Sequence, residues 1–473
     1  MDSKRIINNS VALLVMDLVS KLLPLVTFPW VVRALGPESY GKVGFALAVT
    51  GFFGLLAAPG FNAFGQREIA RSEDPARAVA QKLMGARMML TCCSYLLLVV
   101  FTFTLAPPDR LTRTLLLLTG VNFLIATVDL QWLFLGNSRM WRTSVAGITG
   151  QCLYTAVVLG FVRKPSDAWL LPLGSISSGI VVALLLLQRA RREFHVGLPR
   201  FVPELWGRFL PVCFTLGLAS MMSMLYDQID TVMLRYMRTE AEVGLYAASY
   251  RVMSISMSFL PVVAQVFYPL LSGAAGRDAE RERRYVQWMA NATVSLAIPM
   301  AIGGCLLAEP IAAFILGAKF AGSERLLRWL MLNLISASLA VLFGSRLVPH
   351  NRERKYLAAV AAGGVTNVLL NLILLPRFGA LAAVWTTIVS QFAVAAMAFY
   401  FTRDLERPRL LQPICISLAA ATAMGFTIQL IRHNVQLNVL FLVALGGLVY
   451  GGGFAAARSL WKKLQPAPAA EAA

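Results

Sequence analysis

The sequence predicts an all-α, polytopic membrane protein of about fourteen transmembrane helices, in two pseudo-symmetric six-helix lobes plus two C-terminal helices. Three observations predict it. Of 473 residues, 58% are hydrophobic and 14% charged, with a mean hydropathy of +0.66; a soluble chain carries about a quarter charged residues. Such a chain cannot hide its apolar side chains in soluble cores, so the bilayer must be the solvent for most of it. Apolar runs of membrane length recur along the whole chain, and no loop between them exceeds about twenty residues, which excludes a large extramembrane domain. Finally, turn residues of the first half recur in the second.

The first span centres on Lys21 and follows the short basic start "MDSKRIINN". It is longer than the apolar part of a cleavable signal and has no small-residue cleavage site, so it is expected to remain as a span. Pro24 and Pro29 lie within it. The second, centred on Gly54, follows the turn "ALGPES", and the third to sixth centre on Cys93, Phe123, Cys152 and Ser178. Together they form an N-terminal lobe, 1–200. The C-terminal lobe, 201–405, opens with long runs around Met222 and Val262. Pro211 begins the first of these, and Pro261 and Pro269 interrupt the second. Each proline removes an internal hydrogen bond and can bend its helix. Spans centred on Ile298, Ile335, Leu369 and Gln391 complete that lobe. Met424 and Gly446 centre two more spans in 406–460, and the tail 461–473 is expected to be disordered.

The repeat is carried by its turns. "YGKVGFA" opens the second span and "VGLYAAS" the eighth; "LFLGNSRMWR" ends the fourth and "LFGSRLVPHNRERK" the tenth. Two lobes of the same topology would be related by an axis along the membrane normal. Charge sets the expected orientation. The net charge is +19, from 43 Lys and Arg against 24 Asp and Glu. Roughly 28 of these bases, Arg139, Arg142, Arg189, Arg352 and Arg403 among them, fall on the side that holds the N-terminus, against roughly 13 on the other. Both termini are therefore expected in the cytoplasm. Bases confined to short loops are the signature of a membrane protein, which argues against nucleic acid as partner.

Charges inside the membrane are the candidate functional residues. Asp17 and Lys21 share one helix face at i and i+4, in the favourable order. Each alone would cost about 2.5–3.5 kcal/mol at mid-membrane, so the pair either stabilises packing or lines a wet cavity. Asp129 lies near the cytoplasmic end of the fourth span. Asp227 and Asp230 lie toward the outer end of the seventh, and Arg251, at a depth comparable to Asp230, lies in the eighth. Lys21 and Arg251 are candidate cations for an anionic headgroup. Asp17, Asp129, Asp227 and Asp230 are candidates for charge pairing or for coupling to H+ or Na+, although a carboxylate paired with a base stays ionised. Tyr226, Tyr246 and Tyr250 are able to stack on sugars or to pack the interior. Cys92, Cys93, Cys152, Cys213, Cys305 and Cys415 stand in apolar runs without C-x-x-C spacing, and His195, His350 and His433 lie in loops or at span ends. No metal site and no cofactor is expected. There is no phosphate-binding "GxxxxGK[ST]" loop, and no loop large enough for a polymerase or ligase site, so a transporter rather than an enzyme is expected.

"FPWVVRALGPESYGKVGFALAVTGFF" followed by "GFNAFGQREIA", then "IDTVMLRYMRTEAEVGLYAASYRV" and "NLILLPRFGALAAVW", resemble the polysaccharide biosynthesis flippases. These are the O-antigen and exopolysaccharide (Wzx-type) transporters of the multidrug/oligosaccharidyl-lipid/polysaccharide exporter superfamily. Gly36, Gly41, Arg67, Glu68, Asp230, Gly244, Tyr246 and Tyr250 match the family signature. The resemblance implies fourteen helices working by alternating access in a prokaryotic cell (inner) membrane. It also implies a polyprenyl-pyrophosphate-linked oligosaccharide as substrate, moved from the cytoplasmic to the outer leaflet, with polysaccharide polymerase machinery as a partner. Lys21 and Arg251 would meet the diphosphate, with Tyr246 and Tyr250 near the sugars. A lipid II flippase and a cation-coupled multidrug antiporter of the same superfamily are the alternatives.

Overall fold

A computed structural model of the chain describes residues 3–71, 75–137, 139–434 and 437–464. The side chains of 3–21, 71, many of 203–226 and 460–464 lie outside that description. The side chains of Asp17, Lys21 and Tyr226, and most of the expected tail, therefore fall outside the described residues.

The described chain is helical throughout, as hydrocarbon requires: a backbone without water must satisfy its own hydrogen bonds. It divides into two compact units, 1–244 and 245–473. The first holds α1 (Ser3–Ala57), α2 (Phe61–Arg71), α3 (Ala76–Thr104), α4 (Arg110–Ala126), α5 (Gln131–Gly136), α6 (Met140–Phe161), α7 (Leu170–Phe194) and α8 (Pro203–Met237). α9 (Glu240–Met257) begins there and continues into the second. The second unit goes on with α10 (Phe259–Ala274), α11 (Ala279–Leu306), α12 (Ala308–Ile315), α13 (Ser323–Gly344), α14 (Glu353–Phe378), α15 (Ala380–Phe401), α16 (Leu411–Asn434) and α17 (Val439–Leu464).

Twelve segments among the described residues are long and apolar enough to cross a membrane. Fourteen membrane-length helices result when the two arms of α1 are counted separately and the 35-residue α8 is added. The arms, 3–35 and 37–57, meet at Gly36 (φ 71°, ψ 173°), a conformation open to glycine alone. The expected loop "ALGPES" is thus a one-residue bend, because Pro37 already suits the first position of the next arm. The eighth span breaks at Ser258, between α9 and α10. Pro261, three residues on, has no N–H for the Met257 carbonyl, and its ring crowds that group.

The repeat is visible in which helices touch. In the first unit α1 packs on α3, α3 on α4, α4 on α7 and α6 on α7; in the second α10 packs on α11, α11 on α13, α13 on α15 and α14 on α15. α6 and α14 each start from an arginine with nearly the same backbone, Arg139 at φ −109°, ψ 47° and Arg352 at φ −110°, ψ 38°. Each arginine is tied to an acid at the end of the following helix: Arg139, with Arg142, to Glu193, and Arg352 to Asp404. α16 packs on α11 and α17 on α16, outside this pattern. α8, whose sequence opens the expected second lobe, packs in the first unit on α1 and α2.

Lipid tails are as apolar as leucine, so close packing rather than water exclusion holds such helices together. In the first unit Phe45, Leu98, Leu115, Leu116 and Val158 form one fully buried layer, and Phe61, Trp132, Leu133 and Phe134 another. The tightest crossing joins α1 to the start of α9, and it is reciprocal. A Cβ on Gly41 would overlap the carbonyl oxygen of Glu240, four residues before Gly244; a Cβ on Gly244 would overlap that of Pro37, four residues before Gly41. Gly41→Ala and Gly244→Ala are each expected to cost about 1–3 kcal/mol of stability. Gly447→Ala and Gly451→Ala, whose new methyl groups meet nothing within 4 Å, are expected to be neutral. Thermal unfolding in detergent compares the four, and a native midpoint for Gly41→Ala would mean that the crossing relaxes.

Candidate functional site

Four charges converge beside that crossing. Lys42, on the second arm of α1, places its Nζ 3.1 Å from Asp109 Oδ1 and 3.2 Å from Glu240 Oε2. Arg235, near the end of α8, donates to the other oxygen of Glu240 at 2.5 Å. Asp109 caps α4 by accepting from the Thr112 N–H and hydroxyl, both at 2.8 Å. Burial pushes its carboxyl up, but the Thr112 bonds and Lys42 outweigh this and hold it below the ordinary value. Two cations and two carboxylates balance, so the group ties α1, α4, α8 and α9 together and leaves no net charge for a ligand.

A second pair lies deeper in the first unit. Arg87, on α3, is 5% exposed, packs over the Phe61 ring at 5.4 Å and donates to the Asp129 carbonyl at 3.3 Å. Asp129 stands at the break between α4 and α5, where its carboxylate accepts from the Gln131 N–H (3.1 Å) and side-chain amide (3.2 Å). It therefore starts α5 and faces a guanidinium. Farther along, Asp230 is 1% exposed and Asp227 half-buried; both have interaction partners.

In the second unit Tyr246 is 1% exposed, its hydroxyl 3.2 Å from Thr387 Oγ1. Its ring lies 5.8 Å from that of Tyr250, which is half-buried. Tyr246 thus packs the interior and positions Tyr250. Arg251, the next residue, is exposed. It stands eleven residues into the span Glu240–Ala274, about 16 Å along the helix, and makes no ion pair among the described residues. Behind these residues runs a wholly buried polar string. Asn371 donates to Asn367 Oδ1 at 2.8 Å, and Thr386 donates to Asn371 Oδ1 at 2.6 Å. The amide nitrogen of Asn367 is buried without a hydrogen-bond partner. The open group is a donor, which suits a water or another acceptor, while the amide oxygens of the string already accept hydrogen bonds. Among the described residues no three His, Cys, Asp or Glu side chains converge on a metal site, and all six cysteines are free.

Outside the spans, Arg352 grips Asp404 with both terminal nitrogens, at 2.7 and 2.5 Å, and holds its carboxyl well below the usual carboxylate range. Beside it Arg346, 2% exposed, donates to the Glu406 carbonyl at 2.6 Å, and burial lowers its pKa. By sequence position Arg87 and Arg346 count among the bases of the N-terminal side, and Lys42 carries no signal of its own. Asn367 and Asn371 stand four apart in the apolar run "TNVLLN", and that spacing is the one sequence signal of the buried amides.

Residues 6–275, more than half the chain, match the polysaccharide biosynthesis protein family. The chain is 23% identical over 407 residues to "Putative O-antigen transporter" of Escherichia coli (strain K12), covering 84% of this chain and 96% of that protein. It is 23% identical over 455 residues to "Succinoglycan biosynthesis transport protein ExoT" of Rhizobium meliloti (strain 1021), covering 90% and 88%. Its fold is similar to that of a solved "Lipid II flippase MurJ, inward closed conformation", with a TM-score of 0.77 at 14% identity, over 97% of this chain and 99% of the other.

Because the folded chain lowers the pKa of Asp109, the stabilisation this carboxylate provides is complete above the unfolded value of 3.8 and is lost as pH falls through the folded one. Asp109→Asn is expected to cost about 1 kcal/mol at neutral pH and nothing once both forms are uncharged. Unfolding midpoints of the two proteins, measured from neutral to acid pH, should converge on acidification; a constant gap would assign the loss to packing.

Proposed function

The chain belongs to the polysaccharide biosynthesis protein family, and we propose that it is a flippase for an undecaprenyl-pyrophosphate-linked oligosaccharide. It moves this glycolipid from the cytoplasmic to the outer leaflet of a prokaryotic cell membrane, in O-antigen or exopolysaccharide assembly. The names of its relatives support transport rather than an enzymatic activity. The fold likeness to a lipid II flippase, at 14% identity, is a likeness of architecture alone.

Arg251 carries the proposal from the structural side. A guanidinium in a membrane span costs about 2.5–3.5 kcal/mol, and no carboxylate among the described residues pairs with this one. A diphosphate would offset it with charge-assisted hydrogen bonds. Tyr250 then offers a ring face to the first sugar. Lys21, with Asp17 holding it charged, is the second proposed phosphate contact. Both termini face the cytoplasm, and the polyprenyl chain stays in lipid while the two lobes, 1–200 and 201–405, alternate access. Coupling to H+ or Na+ would use the buried Asp230 carboxylate. The product, exposed in the outer leaflet, is what a polysaccharide polymerase consumes.

The test is translocation of a fluorescent undecaprenyl-pyrophosphate oligosaccharide in proteoliposomes. Arg251→Ala and Lys21→Ala are each expected to slow transport about 10- to 100-fold, with normal insertion, and Arg251→Lys to recover part of the loss. Native rates in both alanine variants would remove the phosphate contacts and keep the flippase. No transport by the native protein of any such glycolipid would remove the flippase itself.

A further inference from the structure

Arginines lying on exposed aromatic rings gather at one end of each unit. In the first unit the exposed Trp141 ring, at the start of α6, is flanked by two guanidinium groups, Arg142 at 5.2 Å and Arg189 at 5.4 Å from its centroid. Glu193 takes Arg139 and Arg142, whereas Arg189 makes no ion pair among the described residues. In the second unit, at the matching end of α15, Arg403 lies 4.7 Å over the exposed Tyr400 and Arg407 5.3 Å over the exposed Phe399. Arg352 is there occupied by Asp404. Residues 139–142 and 189–193 hold five arginines against one acid; 352–355 and 403–409 hold six bases against three acids.

We propose that each unit binds, at this end, the phosphate of an anionic glycerophospholipid from the surrounding bilayer. The arrangement stands where membrane-length helices begin and end, the level at which aromatic rings sit among headgroups. A guanidinium lying on a ring face keeps its N–H edge free for phosphate. The surplus of cations selects an anionic lipid, because a zwitterionic headgroup brings a cation of its own. Exposed apolar side chains one turn into the bilayer, Val145 beside Trp141 and Leu184 beside Arg189, suit acyl chains and would be wasted on a free anion. Both units carry arginines on exposed rings at this end, with the ring on α6 in one and the rings on α15 in the other. Both sets fall on the base-rich side, whose leaflet carries an attractive negative potential.

The full chain, purified in nanodiscs of mixed phosphatidylglycerol and phosphatidylcholine, tests this by mass spectrometry of the lipids retained after detergent washing. The native protein is expected to retain phosphatidylglycerol in preference, with the preference shrinking as salt rises. Arg189→Gln alone, and Arg403→Gln with Arg407→Gln, should each weaken that retention by about five-fold per cation removed. The three together should bring it to the phosphatidylcholine level. All three substitutions leave Arg139–Glu193 and Arg352–Asp404 intact, and helical content by circular dichroism accompanies each variant. Equal retention of the two lipids by the native chain, at any salt, overturns the proposal. So does undiminished retention in a folded triple variant, and displacement of the lipid by millimolar inorganic phosphate would reduce the site to a simple anion contact.

Discussion

A polar atom inside hydrocarbon finds partners only in its own protein, and this constraint orders the whole chain. It makes the backbone helical, because only a helix satisfies itself segment by segment. It gathers side-chain charge into a balanced group, Lys42 and Arg235 with Asp109 and Glu240, and sets the Arg87 guanidinium against the Asp129 main-chain carbonyl. It lets asparagine and threonine lie fully buried by bonding one to the next, as Asn371 does with Asn367 and Thr386. Arg251, inside a span and without an ion pair among the described residues, departs from that rule.

The same constraint explains why two halves with little shared sequence keep common joints. A helix that starts in the interfacial zone has four N–H groups to satisfy, and a charged residue there must be neutralised nearby. Arg139 and Arg352 adopt the same backbone and find acids at the end of the following helix. Such joints are local solutions, so they persist while the apolar faces between them drift.

Fourteen spans, their order and the repeat were legible in the sequence because hydropathy and turn residues report directly on the solvent each segment meets. Pro261 announced the break at Ser258. The bend at Gly36 was read as a loop, since a glycine followed by a proline fits both a turn and a kink, and only packing chooses. The charges were less legible, because depth along a helix does not say which way a side chain points. Arg87 counts as a loop base in sequence yet is sealed under Phe61. Asp129 suggests charge pairing or an ion site, and its carboxylate also accepts from the Gln131 N–H at the start of a short helix. Tyr246 suggests a sugar platform or an interior packing residue; it is buried and packs against the half-buried Tyr250 ring. Facing is a property of the packed molecule, and no periodicity reaches it when a span is apolar all round.

The reciprocal contact of Gly41 and Gly244 has a consequence for how such a chain evolves. Two copies of a duplicated segment ordinarily drift apart, since a change in one leaves the other untouched. At the crossing of α1 with the start of α9, each helix's backbone is the wall that limits the other's side chain, so neither position can grow until the facing helix withdraws. Volume alone, without appeal to function, therefore couples positions 41 and 244.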